Sequence, residues 1–404
     1  MKRAIILLAF PFLLLASNWI PQAKQADERC IWSYSVEEIS QSLAVVRDID
    51  GDSIPEVAAG DRSGTVTVIS GKSGEKVWSN KFGDRVSIRG TISTNNQDYL
   101  ICNGSGKLFL IAATDGLVIW NQANAMGAIE PIPDTNGDGW DDICSGGVDN
   151  GRIYCLSGAD GSTIWTISLD DHIARSITFA GSSGDEEVVI AVGTRIWGYT
   201  GGIFLLNGSD GETIWFHDLN GTVMNAAFSN MEERIFLRVK TGPGADKVVG
   251  IQIDSGTVSW ERDIGHLWNI LAISDVNGDG RGDVLVPVWT EGGPVYALDA
   301  QDGSTIWECS IDPAVRPEPM ISVGNIDQDG VDEIAVGTGY TRGIVHLING
   351  RNGWPVWSFK ASDDVQSDIS RFCIPGDLNG DQIPDIVAAS YDKNIYALSG
   401  HLSK

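Results

Sequence analysis

Five short stretches carry oxygen-bearing side chains at positions 1, 3, 5 and 9, with glycine usually at position 4 or 6. They are Asp48-Ile-Asp50-Gly-Asp52-Ser-Ile-Pro-Glu56, Asp134-Thr-Asn136-Gly-Asp138-Gly-Trp-Asp-Asp142 and Asp275-Val-Asn277-Gly-Asp279-Gly-Arg-Gly-Asp283. The other two are Asn325-Ile-Asp327-Gln-Asp329-Gly-Val-Asp-Glu333 and Asp377-Leu-Asn379-Gly-Asp381-Gln-Ile-Pro-Asp385. A hard cation such as Ca²⁺ takes six to eight oxygens at about 2.4 Å, and a tight loop with oxygens at alternate positions can wrap one. The carbonyl at position 7 would add a further ligand, and glycine lets the backbone bend that sharply. Mg²⁺ demands a stricter octahedron and keeps more water, so the pattern favours Ca²⁺, at up to five structural sites. Alone, each stretch would read as an ordinary Asx turn. Five of them in phase with a second repeat point to metal.

That second repeat positions the loops. Trp32, Trp78, Trp120, Trp165, Trp215, Trp260, Trp307 and Trp357 follow one another at gaps of 46, 42, 45, 50, 45, 47 and 50 residues. A period of this length with strand-like flanks marks a β-propeller. Each tryptophan from Trp78 onward closes a hairpin pattern, as in GRIYCLSGADGSTIW ending at Trp165 and PVYALDAQDGSTIW ending at Trp307. Apolar and β-branched runs give way to Asp-Gly, Ser-Gly or Asn-Gly, residues that tight turns require. The last copy, Lys393-NIYALSG, has a strand but no tryptophan, whereas Cys30-IWSYS has a tryptophan and no strand before it. The reading is an all-β, single eight-bladed propeller of four-stranded antiparallel blades, closed by the N-terminal strand. Blades fall near 36–80, 86–122, 127–167, 173–217, 222–262, 267–309, 317–359 and 368–400, the last completed by 29–34. The tryptophans are expected to pack between blades, not to form a ligand box. Blades 2, 4 and 5 lack the Asp loop, so metal would stiffen some blades without being needed by all.

The composition bounds the compartment and partners. Lys2 and Arg3 precede an apolar run from Ala4 to Leu15, with small residues at Ala23 and Ala26. This reads as a signal peptide over 1–23, cleaved near 23–26, followed by a propeller domain over 27–404. The run is too short for a comfortable span, so no stable membrane insertion is expected, and the chain is read as exported: periplasmic, extracellular or cell-surface associated. The net charge is −26, from 54 acidic and 28 basic residues. Such a chain repels nucleic acid and anionic membranes. Six cysteines permit disulfides, and Cys144 and Cys155, flanking one turn, are the best-placed pair.

With these rows quoted, a resemblance can be stated. The Y-A-L-S-G…D-G-x-x-x-W rows resemble the PQQ-like repeats of quinoprotein alcohol dehydrogenases and of the outer-membrane-protein assembly factor. The D-x-N-G-D-G-x-x-D loops resemble the calcium loops of FG-GAP and VCBS repeats, as in integrin α-subunit propellers, and lack the position-12 Glu of an EF-hand. The resemblance covers nearly all of the mature chain and implies fold and calcium rather than an activity.

If the Asp loops join first and second strands, they occupy one face of the disc, and any ligand sits on the other. Candidates there are Arg175, Arg195, Trp197, Trp268, Trp289, Glu318, Tyr340, Arg371 and Tyr391, with His172 and Asn269 nearby. Aromatics interleaved with charges suit a sugar, a quinone or a peptide. The reading that needs least is a monomeric, non-catalytic binding or scaffold module for a protein or glycan. A PQQ- and Ca²⁺-dependent dehydrogenase is disfavoured, because no vicinal Cys-Cys pair or long catalytic insertion is present. A calcium-dependent polysaccharide lyase would need a base, for which His172, Arg175 and Arg371 could be recruited.

Overall fold

The computed structural model describes residues 26–402 apart from 95–96, 124–126, 148–150, 184–185, 196–199, 230, 232–233, 291, 312–315, 340–342 and 362–366. Of residues 26–27, 180–183, 186–192, 194–195, 316 and 318 it describes the backbone alone. The expected signal peptide over 1–23 lies outside the described residues.

Among the described residues, thirty-two strands form eight four-stranded antiparallel sheets. Seven are continuous in sequence and are called blades 1 to 7 here: 40–81, 86–122, 129–168, 172–219, 222–265, 271–309 and 316–360. The eighth is composite, with Cys30–Ser35 paired to Asn394–Leu398 at the outer edge of the sheet 369–398. The first strand of every sheet touches the first strand of the next, and Ile369–Gly376 returns to Ser40–Val46, so the sheets close one ring. Closure sets the first strands side by side around the axis, so the edges that remain are short and protected.

The physical basis is alternation. Second and third strands, such as Glu56–Asp61 and Thr65–Ile69, are buried almost throughout because both faces are covered by neighbouring blades. The core therefore lies between sheets: one cluster joins Val46, Val66 and Val68 of blade 1 to Leu100 and Ile111 of blade 2. Another joins Trp32 and Ile395 of the composite sheet to Val57 and Ile69 of blade 1.

The tryptophans sit in fourth strands and latch each blade to its successor. The indoles of Trp32, Trp78, Trp120, Trp165, Trp215, Trp260 and Trp307 donate to carbonyls of Gly71, Ala113, Gly158, Gly208, Ile253, Ala300 and Gly350 at 2.6–2.8 Å. The turn glycine after each carbonyl lies against the same ring. At Gly161, with φ +72°, an added Cβ would stand 2.7 Å from the Trp120 ring. The hairpin glycines thus serve both the turn and the blade contact.

Trp357 also packs between sheets, but its junction differs from the other seven. Trp357 is buried, yet its Nε1 has no hydrogen-bond partner. The Arg29 guanidinium lies over its ring instead, 4.9 Å from the centroid, while Arg29 Nη1 donates to the His401 carbonyl at 2.7 Å. The reason is local. The turn that latches the other rings is replaced, between blade 7 and the composite sheet, by the two chain-end segments.

Cys144 and Cys155 stand directly opposite each other on Asp142–Gly146 and Arg152–Leu156. Both are buried and no disulfide joins them, nor does one involve the other four.

Candidate functional site

The Asp loops join first and second strands in blades 1, 3, 6 and 7 and in the composite sheet, on one face of the disc. Their shape follows from backbone amides. Asp48 accepts from Gly51 N (2.7 Å) and Ser53 N (2.8 Å), and Asp377 from Gly380 N (2.6 Å) and Gln382 N (2.7 Å). Asp134 and Asp275 do the same with Gly137 and Gly139, and with Gly278 and Gly280. In the blade 7 loop Asn325 accepts from Gly330 N at 3.2 Å. Position-3 oxygens of Asp50, Asn136, Asn277, Asp327 and Asn379 accept from the amides of Asp52, Asp138, Asp279, Asp329 and Asp381. Position 6 is left-handed even where it is Ser53 or Gln382, at φ 72° and 68°, because the side-chain oxygens hold that turn.

The closing carboxylates, Glu56, Asp142, Asp283, Glu333 and Asp385, are fully buried. Each accepts from the position-2 amide, as Asp385 does from Leu378 N at 2.8 Å. Burial raises all five above the usual carboxylate range, partly offset by these amides and reinforced by neighbouring loop carboxylates. Glu56 is pushed up to about 7, and Asp283 and Asp385 to about 6. A buried carboxylate facing further carboxylates gains most from a cation. Asp48, Asp50 and Glu56 each bring an oxygen to within 4.8 Å of the others, a donor set of the kind Ca²⁺ takes.

The opposite face collects the starts of the first strands. In blades 5 and 6 it carries an aromatic shelf. Trp268 is 39% exposed and lies 5.4 Å from Trp289, whose ring takes His266 edge-on at 4.6 Å. A buried ion pair supports the shelf. Arg238 Nη2 meets Asp246 Oδ2 at 3.0 Å, and the same oxygen accepts from Leu267 N at 2.8 Å, while Arg238 Nη1 donates to the Trp268 carbonyl.

Around the composite sheet and blades 1 and 2 the same face forms a cleft of about 270 Å³ lined by Gln41, Ser42, Leu43, Arg85, Ser87, Ile88, Arg89 and Arg371. Hydroxyls staple its three walls together. Ser42 Oγ accepts from Ile88 N at 2.8 Å, and Ser370 Oγ donates to the Ser40 carbonyl at 2.9 Å.

Of the candidate ligand residues, Trp268 and Trp289 come together, Arg371 lines the cleft, and Arg175 is exposed at the start of His172–Ser183. Tyr391 takes the Arg62 guanidinium 5.5 Å from its ring centroid. Trp197 and Tyr340, and the side chains of Arg195 and Glu318, lie outside the described residues. His172 is corrected: its ring is buried edge-on against Phe204 and Phe216, with Nδ1 3.2 Å from the Leu169 carbonyl. It presents no base to the surface. Sequence reasoning passed over Arg85 and Arg89. The available signal was their position before and within a first strand of an acidic chain, matching Arg371 in the composite sheet.

Comparison with known proteins bears on the fold and the repeat. Residues 149–327 match the family described as outer membrane protein assembly factor BamB. A curated protein of that description from Alteromonas naphthalenivorans is 35% identical over 89 residues, 19% of this chain. This chain is a β-propeller of PQQ-like repeats. The PQQ-like propeller spans about a fifth, 21%, of the curated relative's length in that match. Among solved structures, BamB from Moraxella catarrhalis superposes with a TM-score of 0.56 at 17% identity, covering 93% of this chain and 99% of that one. Saccharomyces cerevisiae Sqt1 superposes with a TM-score of 0.68 at 10% identity, over 91% and 98%. Identities this low carry the fold alone.

Proposed function

We propose that this PQQ-like propeller is an exported, non-catalytic scaffold, stiffened by Ca²⁺ on one face and holding a protein partner on the other. The observation that carries the partner face is the division of labour between the two sides. Loop oxygens on one side are spent on their own backbone amides, whereas the other side leaves Trp268, Trp289, Arg89 and Arg371 open to solvent or only half-buried. Half-exposed aromatics and arginines are the side chains enriched where proteins meet. The assembly-factor description of the matching family supports a protein as the partner. Export rests on the basic and apolar N-terminal segment from Lys2 to Leu15.

Photo-crosslinking in cells tests the partner face. A crosslinking amino acid at Trp268 or Arg175 should give discrete protein adducts, and one at Lys76, exposed on an outer strand, should not. Adducts from Lys76 alone, or from no position, would overturn the assignment. Calcium is tested by titrating chelator-stripped protein calorimetrically. Saturable heat that is reduced in Asp48→Asn/Glu56→Gln supports the loop sites, and no heat at millimolar Ca²⁺ removes them.

A further inference from the structure

The cleft on the partner face gathers three guanidinium groups in a chain that is otherwise strongly acidic. Arg85 Nε donates to Gln41 Oε1 at 2.8 Å, and Arg371 Nη1 to its neighbour's carbonyl, Ser370 O, at 2.7 Å. Arg89 reaches Asn103, whose amide, turned with its oxygen toward the guanidinium, accepts at 3.1 and 3.3 Å. Among the described residues no carboxylate pairs with any of the three. All three belong to neighbouring sheets whose first strands are stapled together, so the positive charges are held near one another by the ring itself. Like charges so placed repel. Burial first, then Arg371 and Arg85, holds the Arg89 guanidinium below the usual arginine value. An anion entering the cleft would relieve that repulsion and find donor forks suited to a planar oxyanion.

We infer that Arg85, Arg89 and Arg371 receive the carboxylate of an acidic side chain presented by the protein partner. This inference rests on the protein-partner reading above. The cleft's dimensions select the class: about 270 Å³ accommodates one or two side chains rather than a run of sugar rings. Leu43 and Ile88 supply an apolar wall for the methylenes of a glutamate, and the arginines receive its head. The overall charge of −26 does not forbid the contact. At physiological salt the Debye length is only about 8 Å, so the local cluster dominates over distant carboxylates.

The test is a titration of the full chain with an end-blocked hexaglutamate peptide, with citrate and inorganic phosphate as free-anion arms. The peptide should bind saturably, and binding should weaken as salt rises from ~0.01 M to ~0.15 M and the Debye length contracts from ~30 to ~8 Å. Arg89→Gln/Arg371→Gln should bind about tenfold more weakly. Arg89→Lys/Arg371→Lys, which keeps the charge, should recover most of the affinity, separating lost charge from misfolding. Lys76→Gln, on an outer strand, should match the parent. Absence of peptide binding, or binding indifferent to the two arginines, overturns the inference. Citrate or phosphate binding as tightly as the peptide also overturns it, since the cleft would then serve a free anion. Crosslinking from Trp268 that persists while the titration fails would leave the partner face standing and remove only the carboxylate.

Discussion

Two tryptophans of nearly equal burial should respond very differently to the same substitution. Trp120 and Trp357 are 8% and 6% exposed, both in fourth strands, but only Trp120 donates its indole N–H, to Gly158 O at 2.8 Å. Replacing either by Phe removes comparable ring area, a loss of about 1–2 kcal/mol against the ~3–5 kcal/mol of full truncation to Ala. Trp120→Phe additionally strands a buried carbonyl, which costs about 1–3 kcal/mol. Trp357→Phe strands nothing, since its Nε1 has no partner, and weakens the Arg29 stack by about 0.5–1 kcal/mol. The difference leaves Trp120→Phe more destabilising by roughly 1–2 kcal/mol. Urea unfolding followed by both far-ultraviolet circular dichroism and fluorescence measures this, the coincidence of the two probes checking cooperativity. If Trp357→Phe proves equally or more destabilising, the indole hydrogen bond is not what latches the blades.

Other consequences follow from the same geometry. Gly161→Ala pays both a left-handed backbone and a 2.7 Å clash with Trp120, whereas Gly106→Ala, at φ +79° with nothing within 4 Å, pays the backbone alone, about 1–2 kcal/mol; Gly161→Ala should show the larger loss in melting temperature. Glu56, Asp283 and Asp385 have folded-state values above their unfolded ones, so their contribution is present below pH about 4 and is lost as pH rises through 6 to 7. Chelator-stripped protein should therefore melt at lower temperature at pH 7.5 than at pH 5, with a smaller gap in Glu56→Gln and in the presence of Ca²⁺. Deleting residues 27–36 removes the strand Cys30–Ser35 and the Trp32–Gly71 latch, and single-transition unfolding should be lost. Cys102, Cys144 and Cys373 are buried with thiols pushed well up, so a thiol reagent should find half-exposed Cys30 first and the others only on unfolding.

The sequence made the repeat legible because its period is written twice, once in the tryptophans and once in the Asp loops. Trp32 and Lys393-NIYALSG, unmatched alone, were complementary halves, and they pair from Cys30–Leu398 to Ser35–Asn394 with one register shift between Cys30 and Trp32. Loop oxygens at alternate positions were equally readable, since each loop is a local object held by its own amides. The arginine cleft was not. Gln41, Arg89 and Arg371 are separated by 48 and 282 residues, and only ring closure brings their strands side by side. His172 failed for the same reason, because Phe204 and Phe216, which bury it, come from strands whose register no local pattern reveals.

The amino-acid sequence by itself determined the class of fold, the repeat, the place where the chain ends meet and the loops with metal-ligand spacing. These follow from periodicity and turn chemistry, which act over a few residues. Tertiary structure decided what each tryptophan does, which junction goes without its indole bond, and where positive charge accumulates in an acidic chain. Those depend on which blade stands next to which, and that is fixed only when the ring closes.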